Sequence, residues 1–246
     1  MEAAARRCFC LVSALFDLYE SLPRQGPGDR ETLDFTLRII RAGGSERILD
    51  AGCGTGADIE GLLARAPAGH VSAVDSHVPF VEQVVKRYRD DSRVEAIATD
   101  MATFTGRFDL IWSAGALYFL GLDAGLRTFH SMLAPSGALV FSHPAYFNKT
   151  PSQAATDFWE GEGEVFDHET VYEKVPAAEY TVFDALKLPY AAWKAYYLPI
   201  QSRIDALKSL ASGDMVATLE GAQRDIDGWR KARAETGYLQ IIAEPV

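Results

Sequence analysis

An α/β fold, with a mostly parallel sheet and helices on both faces, is what this sequence predicts. Three observations predict it. Short apolar segments at 47–50, 70–75, 94–99, 108–112 and 138–141 alternate with helical stretches, and right-handed crossovers turn that alternation into a parallel sheet. The first segment runs directly into a glycine turn, Ile48-Leu49-Asp50-Ala51-Gly52-Cys53-Gly54-Thr55-Gly56. The second ends on an acidic residue, Asp75, about twenty residues beyond that turn.

Ahead of the alternation, Phe9, Val12, Phe16 and Tyr19 recur at helical spacing and predict an amphipathic first helix. Arg6-Arg7 before the apolar run 8–16 imitates a secretory leader. Against that reading, Glu2 sits in the charged region, no small-residue cleavage site follows, and Asp17 and Glu20 come directly after. The run is also too short to span a bilayer. The break Pro23-Arg24-Gln25-Gly26-Pro27-Gly28-Asp29 is dense in turn formers. A second helix follows over 30–42, ended by Gly43-Gly44. Strand 47–50 is followed by helix 57–65, strand 70–75 by helix 79–88, and strand 94–99 leads on to strand 108–112. Helix 124–133 and strand 138–141 complete the regular part. Beyond it, 181–188 and 238–243 read as strands, with helices over 191–210 and 215–234 between them.

The 246 residues, 48% of them hydrophobic, suit one α/β domain carrying insertions. A formal net charge of −10 without a dense Lys/Arg run argues against a nucleic-acid partner. The three cysteines, Cys8, Cys10 and Cys53, have neither zinc-ligand spacing nor a disulfide framework. Free thiols in a reducing compartment are expected, with no metal, no membrane and a cytoplasmic location.

The glycine turn carries the first chemical information. Glycines remove Cβ atoms, so the backbone bends sharply and a ligand lies against it. Asp50 then restricts the ligand. A dinucleotide would present a pyrophosphate, which the carboxylate repels. A sulfonium and an ammonium, as in S-adenosylmethionine (SAM), are attracted instead. The segment resembles motif I of the class I SAM-dependent methyltransferases. The resemblance continues through Asp75, Asp100, 108–113 and 133–140, roughly the central half of the chain.

The resemblance implies a Rossmann-like methyltransferase sheet, parallel with an antiparallel last strand. The last two strands would form a hairpin that here carries an inserted helical cap. The chain then divides into N-terminal helices (1–45), a SAM-binding core (46–145), substrate-side insertions (146–236, with the sixth strand near 181–188) and a last strand (237–246). Asp50, Gly52, Gly54, Thr55 and Gly56 would shape the methionine end of the cofactor site. Asp75, with Ser76, would hold the ribose, and Asp100 with Met101 the adenine. The alternative for Asp75 is a helix N-cap, and for Asp100 a turn residue.

Ser113 opens the loop that, in this fold, faces the methyl group and the substrate. The loop reads Ser113-Ala114-Gly115-Ala116, without the Asn/Asp-Pro-Pro-aromatic motif of enzymes that methylate base or glutamine amino groups. Ser113 and His143 also stand where metal-dependent catechol enzymes place acidic ligands. His143 is the candidate general base; the alternative is a hydrogen-bonded wall residue. Tyr118, His143, Tyr146, Trp159, Trp193 and Tyr197 are the candidate acceptor-binding residues, part of an aromatic set with Phe119, Phe147, Phe158 and Tyr196. Those rings would suit a cationic or planar substrate, or else pack the cap on the sheet. The run Trp159-Glu160-Gly161-Glu162-Gly163-Glu164 reads as a solvated loop or a lid. The 22–28 segment, together with Trp193 and Tyr196-Tyr197-Leu198-Pro199, looks like a poorly characterised bacterial subgroup of small-molecule methyltransferases. In it the Gln-Gly-Pro-Gly loop either closes over the cofactor or is a simple turn.

Transfer of a methyl group from SAM to an O, N or C atom of a small molecule, releasing S-adenosyl-L-homocysteine, is the expected activity. Two alternatives stand beside it. One is an NAD-dependent oxidoreductase, since Gly52, Gly54 and Ala57 meet a loose G-x-G-x-x-A pattern. The other is a SAM-binding module without transferase activity. A homodimer is left open.

Overall fold

The computed structural model describes residue 14 and residues 17–40 and 43–246. Phe9, Val12 and Phe16 of the expected first helix, Cys8, Cys10 and the end of the 30–42 helix lie outside them.

Helix α1 (Arg30–Ile39) begins where the Asp29 side chain accepts a hydrogen bond from the Thr32 N–H, with Glu31 in its first turn and Arg38 in its last. Each charge complements the helix dipole at its end. The regular alternation follows: β1 (Arg47–Ala51), α2 (Ile59–Arg65), β2 (His70–Asp75), α3 (Val78–Tyr88), β3 (Val94–Ala98) and β4 (Phe108–Ser113). A 3-10 turn (Leu117–Leu120) leads to α4 (Leu122–Met132) and β5 (Leu133–Tyr146). Strand β5 is much longer than the 138–141 expected, because it absorbs Pro135-Ser136-Gly137 at a register shift against β4 and then continues beside the last strand. Three elements had no expectation: α5 (Gln153–Phe158), the two-residue β6 (Phe166–Asp167) and α6 (His168–Ala177). The chain closes with β7 (Tyr180–Lys187), α7 (Tyr190–Leu207), α8 (Asp214–Ala232) and β8 (Thr236–Pro245).

The sheet order is β3-β2-β1-β4-β5-β8-β7, with β6 paired to β5. Strand β8 is antiparallel to both of its neighbours, and the other pairings are parallel. The antiparallel last strand and the helical insertion ahead of it are therefore both present. This order reverses direction between β1 and β4, and in open α/β sheets that switch point at the carboxyl edge is where ligands bind.

Apolar side chains of β1, β2, β4 and β5 cover both faces of the sheet. Ile48, Val71, Leu110 and Val140 pack under α1, α2 and α3, and Leu49, Ile111, Leu139 and Phe141 pack under α4 and α6. A third core belongs to the cap. Trp193, Tyr197, Ile200, Leu219, Ile226 and Trp229 of α7 and α8 pack with Leu18, Leu22, Trp159 and Tyr238. Buried polar contacts fix how these layers meet. The Trp159 indole N–H donates to Thr236 Oγ1 at 2.5 Å, and that hydroxyl donates to the Ala145 carbonyl at 2.7 Å. Further along the same face of β8 the Gln240 amide donates to Thr36 Oγ1 at 2.7 Å, which ties α1 to β8.

Thr236→Val keeps the shape of the side chain but leaves the Trp159 N–H and Ala145 carbonyl without their partner. A loss of about 1–3 kcal/mol is expected, read as a lower midpoint in urea with an unchanged slope.

Candidate active site

The glycine turn is held by the backbone of β2. Gly52 and Cys53 N–H groups donate to the Val74 carbonyl at 2.8 and 3.0 Å. Gly52 and Gly54 have φ of +77° and +51°, a region that side chains with a Cβ rarely adopt. A Cβ on Gly52 would stand 2.2 Å from that of Ala116, and one on Gly54 would stand 3.0 Å from the Gln25 side chain. The turn therefore fits between the loop after β4 and the loop ahead of α1. Asp75 braces it from the side: Oδ2 accepts from the Gly54 N–H at 2.9 Å and Oδ1 from the His77 N–H at 2.8 Å. Each oxygen keeps a further lone pair for a ligand hydroxyl.

Asp50 lies beneath the turn with 4% of its surface exposed, and its Oδ2 has no hydrogen-bond partner among the described residues. Burial, reinforced by the charges of Asp58 and Asp75, pushes its carboxyl well above the usual range, and Arg24 only partly opposes them. Arg24 is engaged elsewhere. It pairs with Asp58 at 3.3 Å and donates to the Gly26 carbonyl at 2.6 Å. Asp58 also accepts the Trp112 indole N–H at 3.0 Å. The 23–28 loop is pinned on both sides, by Thr55 Oγ1 donating to the Pro23 carbonyl at 3.3 Å and by the Gly28 N–H donating to the Ala192 carbonyl at 3.2 Å.

From Asp50 a cleft of about 1190 Å³ opens between the carboxyl edge of the sheet and α8. Its sheet side carries Asp75, Ser76, Asp100 and Met101, and its cap side carries Tyr118, Phe158, Glu162, Tyr196, Thr218 and Asp225. Asp225 accepts the Tyr197 O–H at 3.0 Å. Burial, with Glu162 adding to it, raises the Asp225 carboxyl to about 6 against the pull of that hydrogen bond. Burial likewise raises the phenols of Tyr19 and Tyr118 to about 12.

Of the residues anticipated from the sequence, Asp50, Gly52, Gly54, Asp75, Ser76, Asp100, Met101 and Tyr118 line this cleft. Eight others do not. Thr55 is buried and holds the 23–28 loop. Gly56 packs against Ile59 and Val84, and its φ of +74° serves the turn. Ser113 is buried and donates to the Ala51 carbonyl at 3.2 Å, which ties β4 to β1.

His143 is sealed in the sheet, 0% exposed, with its ring stacked on Phe166 and Nδ1 2.7 Å from the Pro144 carbonyl. Burial holds its imidazole below the ordinary value. The candidate base therefore has no access to a substrate in the cleft. It shares a sheet face with Phe141 and Ala145, which look toward α4 and α6.

Tyr146, Trp159, Trp193 and Tyr197 belong to the aromatic core of the cap. Trp193 lines a separate hollow of about 420 Å³ with Phe147 and Trp229. Residues that the sequence reading did not assign to the site, chiefly Asp58, Phe80 and Asp225, line the main cleft. Asp225 had a signal: with Thr218 and Ala222 it forms a helical stripe of small and polar residues at spacings of four and three.

Residues 48–137 match the family described as a methyltransferase domain. A protein of Synechococcus sp. described as uncharacterized is 34% identical over 103 residues, which cover 39% of this chain and 25% of that protein. A malonyl-[acyl-carrier protein] O-methyltransferase from Pseudescherichia vulneris is 28% identical over 142 residues, covering 57% of this chain and 53% of that enzyme. The matches thus span a quarter to about half of the length of these relatives. Among solved structures, a SAM-dependent methyltransferase from Geobacter sulfurreducens in complex with S-adenosyl-L-homocysteine superposes with a TM-score of 0.81. That match covers 95% of this chain and 98% of the other at 15% identity, and it shows the fold. The chain has the Rossmann-like methyltransferase fold.

His143→Gln is expected to leave turnover within about threefold of the parent, whereas deleting a general base costs roughly 10²–10⁴-fold. Steady-state rates and their pH profile, compared with the parent, check this.

Proposed function

We propose that the protein is a SAM-dependent methyltransferase acting on a small-molecule acceptor. The single observation that carries this reading is the buried Asp50 Oδ2, without a hydrogen-bond partner among the described residues, beside a glycine turn that lines the cleft. A carboxylate kept from water is stabilised by a cation and opposed by a pyrophosphate. The methyltransferase-domain match over 48–137 and the shared fold support the same reading.

On this reading Asp50, Gly52 and Gly54 receive the methionine end of the cofactor. Asp75 and Ser76 face the ribose hydroxyls. Asp100 uses Oδ1 to accept the Ala102 N–H at 2.8 Å, and its other oxygen is directed to the adenine amino group, with Met101 against the ring. Gln25, whose amide donates to the Tyr19 carbonyl at 2.9 Å, holds the 23–28 loop over the turn. When bound, SAM supplies a methyl group made electrophilic by positive sulfur. The protein's own work is orientation and exclusion of water by α7, α8 and the 23–28 loop, and proximity of this kind supplies about 7–11 kcal/mol.

Calorimetric titration tests the reading. SAM and S-adenosyl-L-homocysteine are expected to bind and NAD not to; uptake of NAD with neither of the others would overturn it. Asp50→Asn removes a charge-assisted contact of about 1.5–3 kcal/mol, so SAM affinity is expected to fall by roughly 10–150-fold. The same substitution is expected to raise the melting temperature of the free protein by roughly 2–4 °C. The sign follows from the raised carboxyl of the folded state. The fold holds the proton more tightly than the unfolded chain, so this group loses stability as pH rises above the ordinary carboxylate range. The gain in the Asn variant therefore grows with pH and vanishes in acid. SAM affinity in the parent falls as the solution is acidified, because the cation selects ionised Asp50.

A further inference from the structure

The cap-side half of the cleft has a chemical character of its own, and it bears on the acceptor. We propose that the acceptor is an amine, held by Asp225 and Glu162 among the rings of Tyr19, Tyr118 and Tyr196. This inference rests on the methyl-transfer reading, since it names the substrate class of that same site.

Three observations carry it. The first is charge. Among the described residues, Arg24 is the one cation lining the cleft, and its guanidinium is paired with Asp58. A carboxylate or phosphate acceptor would meet no free cation there. The second is position. Asp50, the buried carboxylate with an unpartnered oxygen, marks the donor end of the cavity. Asp225 and Glu162 line the same cavity from α8 and from the 159–164 loop, while the charges that act on Asp50 are those of Asp58, Asp75 and Arg24. The volume of about 1190 Å³ exceeds what a single small ligand ordinarily fills, so the cavity has room for a second molecule. The third is surroundings. The charge of Asp225 acts on Tyr19, Tyr118 and Tyr196, and that of Glu162 on Tyr19, Tyr118 and Asp225. The carboxylates and rings therefore enclose one space. Ring faces beside carboxylates hold an ammonium or an amine N–H and disfavour an anion.

In the step, the lone pair of the neutral amine forms the N–C bond while the C–S bond breaks and its electron pair returns to sulfur. The proton shed by the methylated nitrogen leaves by way of the Asp225 carboxylate to water. Asp225 oriented by the Tyr197 O–H keeps one oxygen for this contact.

The test uses the full chain, first without cofactor and then saturated with S-adenosyl-L-homocysteine. Benzyltrimethylammonium, an unreactive cationic probe, is titrated beside phenylacetate and phenyl phosphate. The cation is expected to bind at least tenfold more tightly than either anion, in both states. Asp225→Asn and, separately, Glu162→Gln are each expected to weaken it at least fivefold while S-adenosyl-L-homocysteine affinity stays within twofold. Glu162 lies on an exposed loop, so its variant reports even where Asp225→Asn disturbs folding. In turnover with SAM, primary arylalkylamines are expected to exceed matched phenols and carboxylates in kcat/KM by at least tenfold. Equal or tighter binding of an anion, an unchanged cation affinity in Glu162→Gln, or preferred turnover of a phenol or acid overturns the proposal. Failure to bind S-adenosyl-L-homocysteine while the cation still binds would instead count against the methyl-transfer reading alone.

Discussion

A carboxylate that cannot reach water organises this molecule. Asp50 stands one residue before the end of β1, the strand flanked by β2 and β4 at the switch point of the sheet, and its Oδ2 finds no donor among the described residues. Leaving such a group unpaired costs stability, and the surroundings do not relieve it. The nearby guanidinium of Arg24 is drawn to Asp58, which also holds the Trp112 indole. Asp75 adds a further negative charge while its oxygens stiffen the glycine turn. The free protein thus stores an electrostatic deficit at the place where a cationic ligand would relieve it. Active sites are where such deficits concentrate.

The cap turns this edge into a chamber. Its core is aromatic: Trp193 stacks on Tyr197 and Trp229 with centroids 5.9 and 6.0 Å apart, and Trp159 stacks on Tyr238 at 5.8 Å. Rings of this size bury large areas and hold few rotamers, so α7 and α8 are docked firmly on β8. The side of α8 that faces the cleft is the reverse, with Ala217, Gly221 and Ala222 leaving space and Asp225 supplying charge. One helix therefore both anchors the cap and shapes the cleft beneath it.

The alternation of strands and helices was legible because apolar periodicity and glycine punctuation are local properties. The glycine turn, Asp75 and the Asp100-Met101 pair were legible for a related reason: each sits at a strand end, and strand ends of a parallel sheet converge on one edge. Residues whose place depends on side-chain direction were not. His143 follows the apolar core of β5 and looked like an edge residue, yet β5 runs on to Tyr146 beside β8 and carries it inside. Thr55 and Ser113 stand next to lining residues but turn away to satisfy the Pro23 and Ala51 carbonyls. The large aromatics that suggested a substrate wall are mostly the cap's own core, because burying them in the roof removes more apolar surface from water than lining an open cleft.

By itself the sequence determined the strand–helix alternation as far as β5, the doubly covered sheet and a glycine turn with an acidic neighbour, since strand propensity, helical spacing and local residue pairing need no distant partner. Only the tertiary structure decided which carboxylates share a cavity. Asp50 and Asp225 are far apart along the chain, and the packing of α8 across the carboxyl edge brings them to one cavity. Burial likewise decided that Asp50 is strained and His143 inert, because the ionisation of a side chain depends on the water and charge around it rather than on its place in the chain.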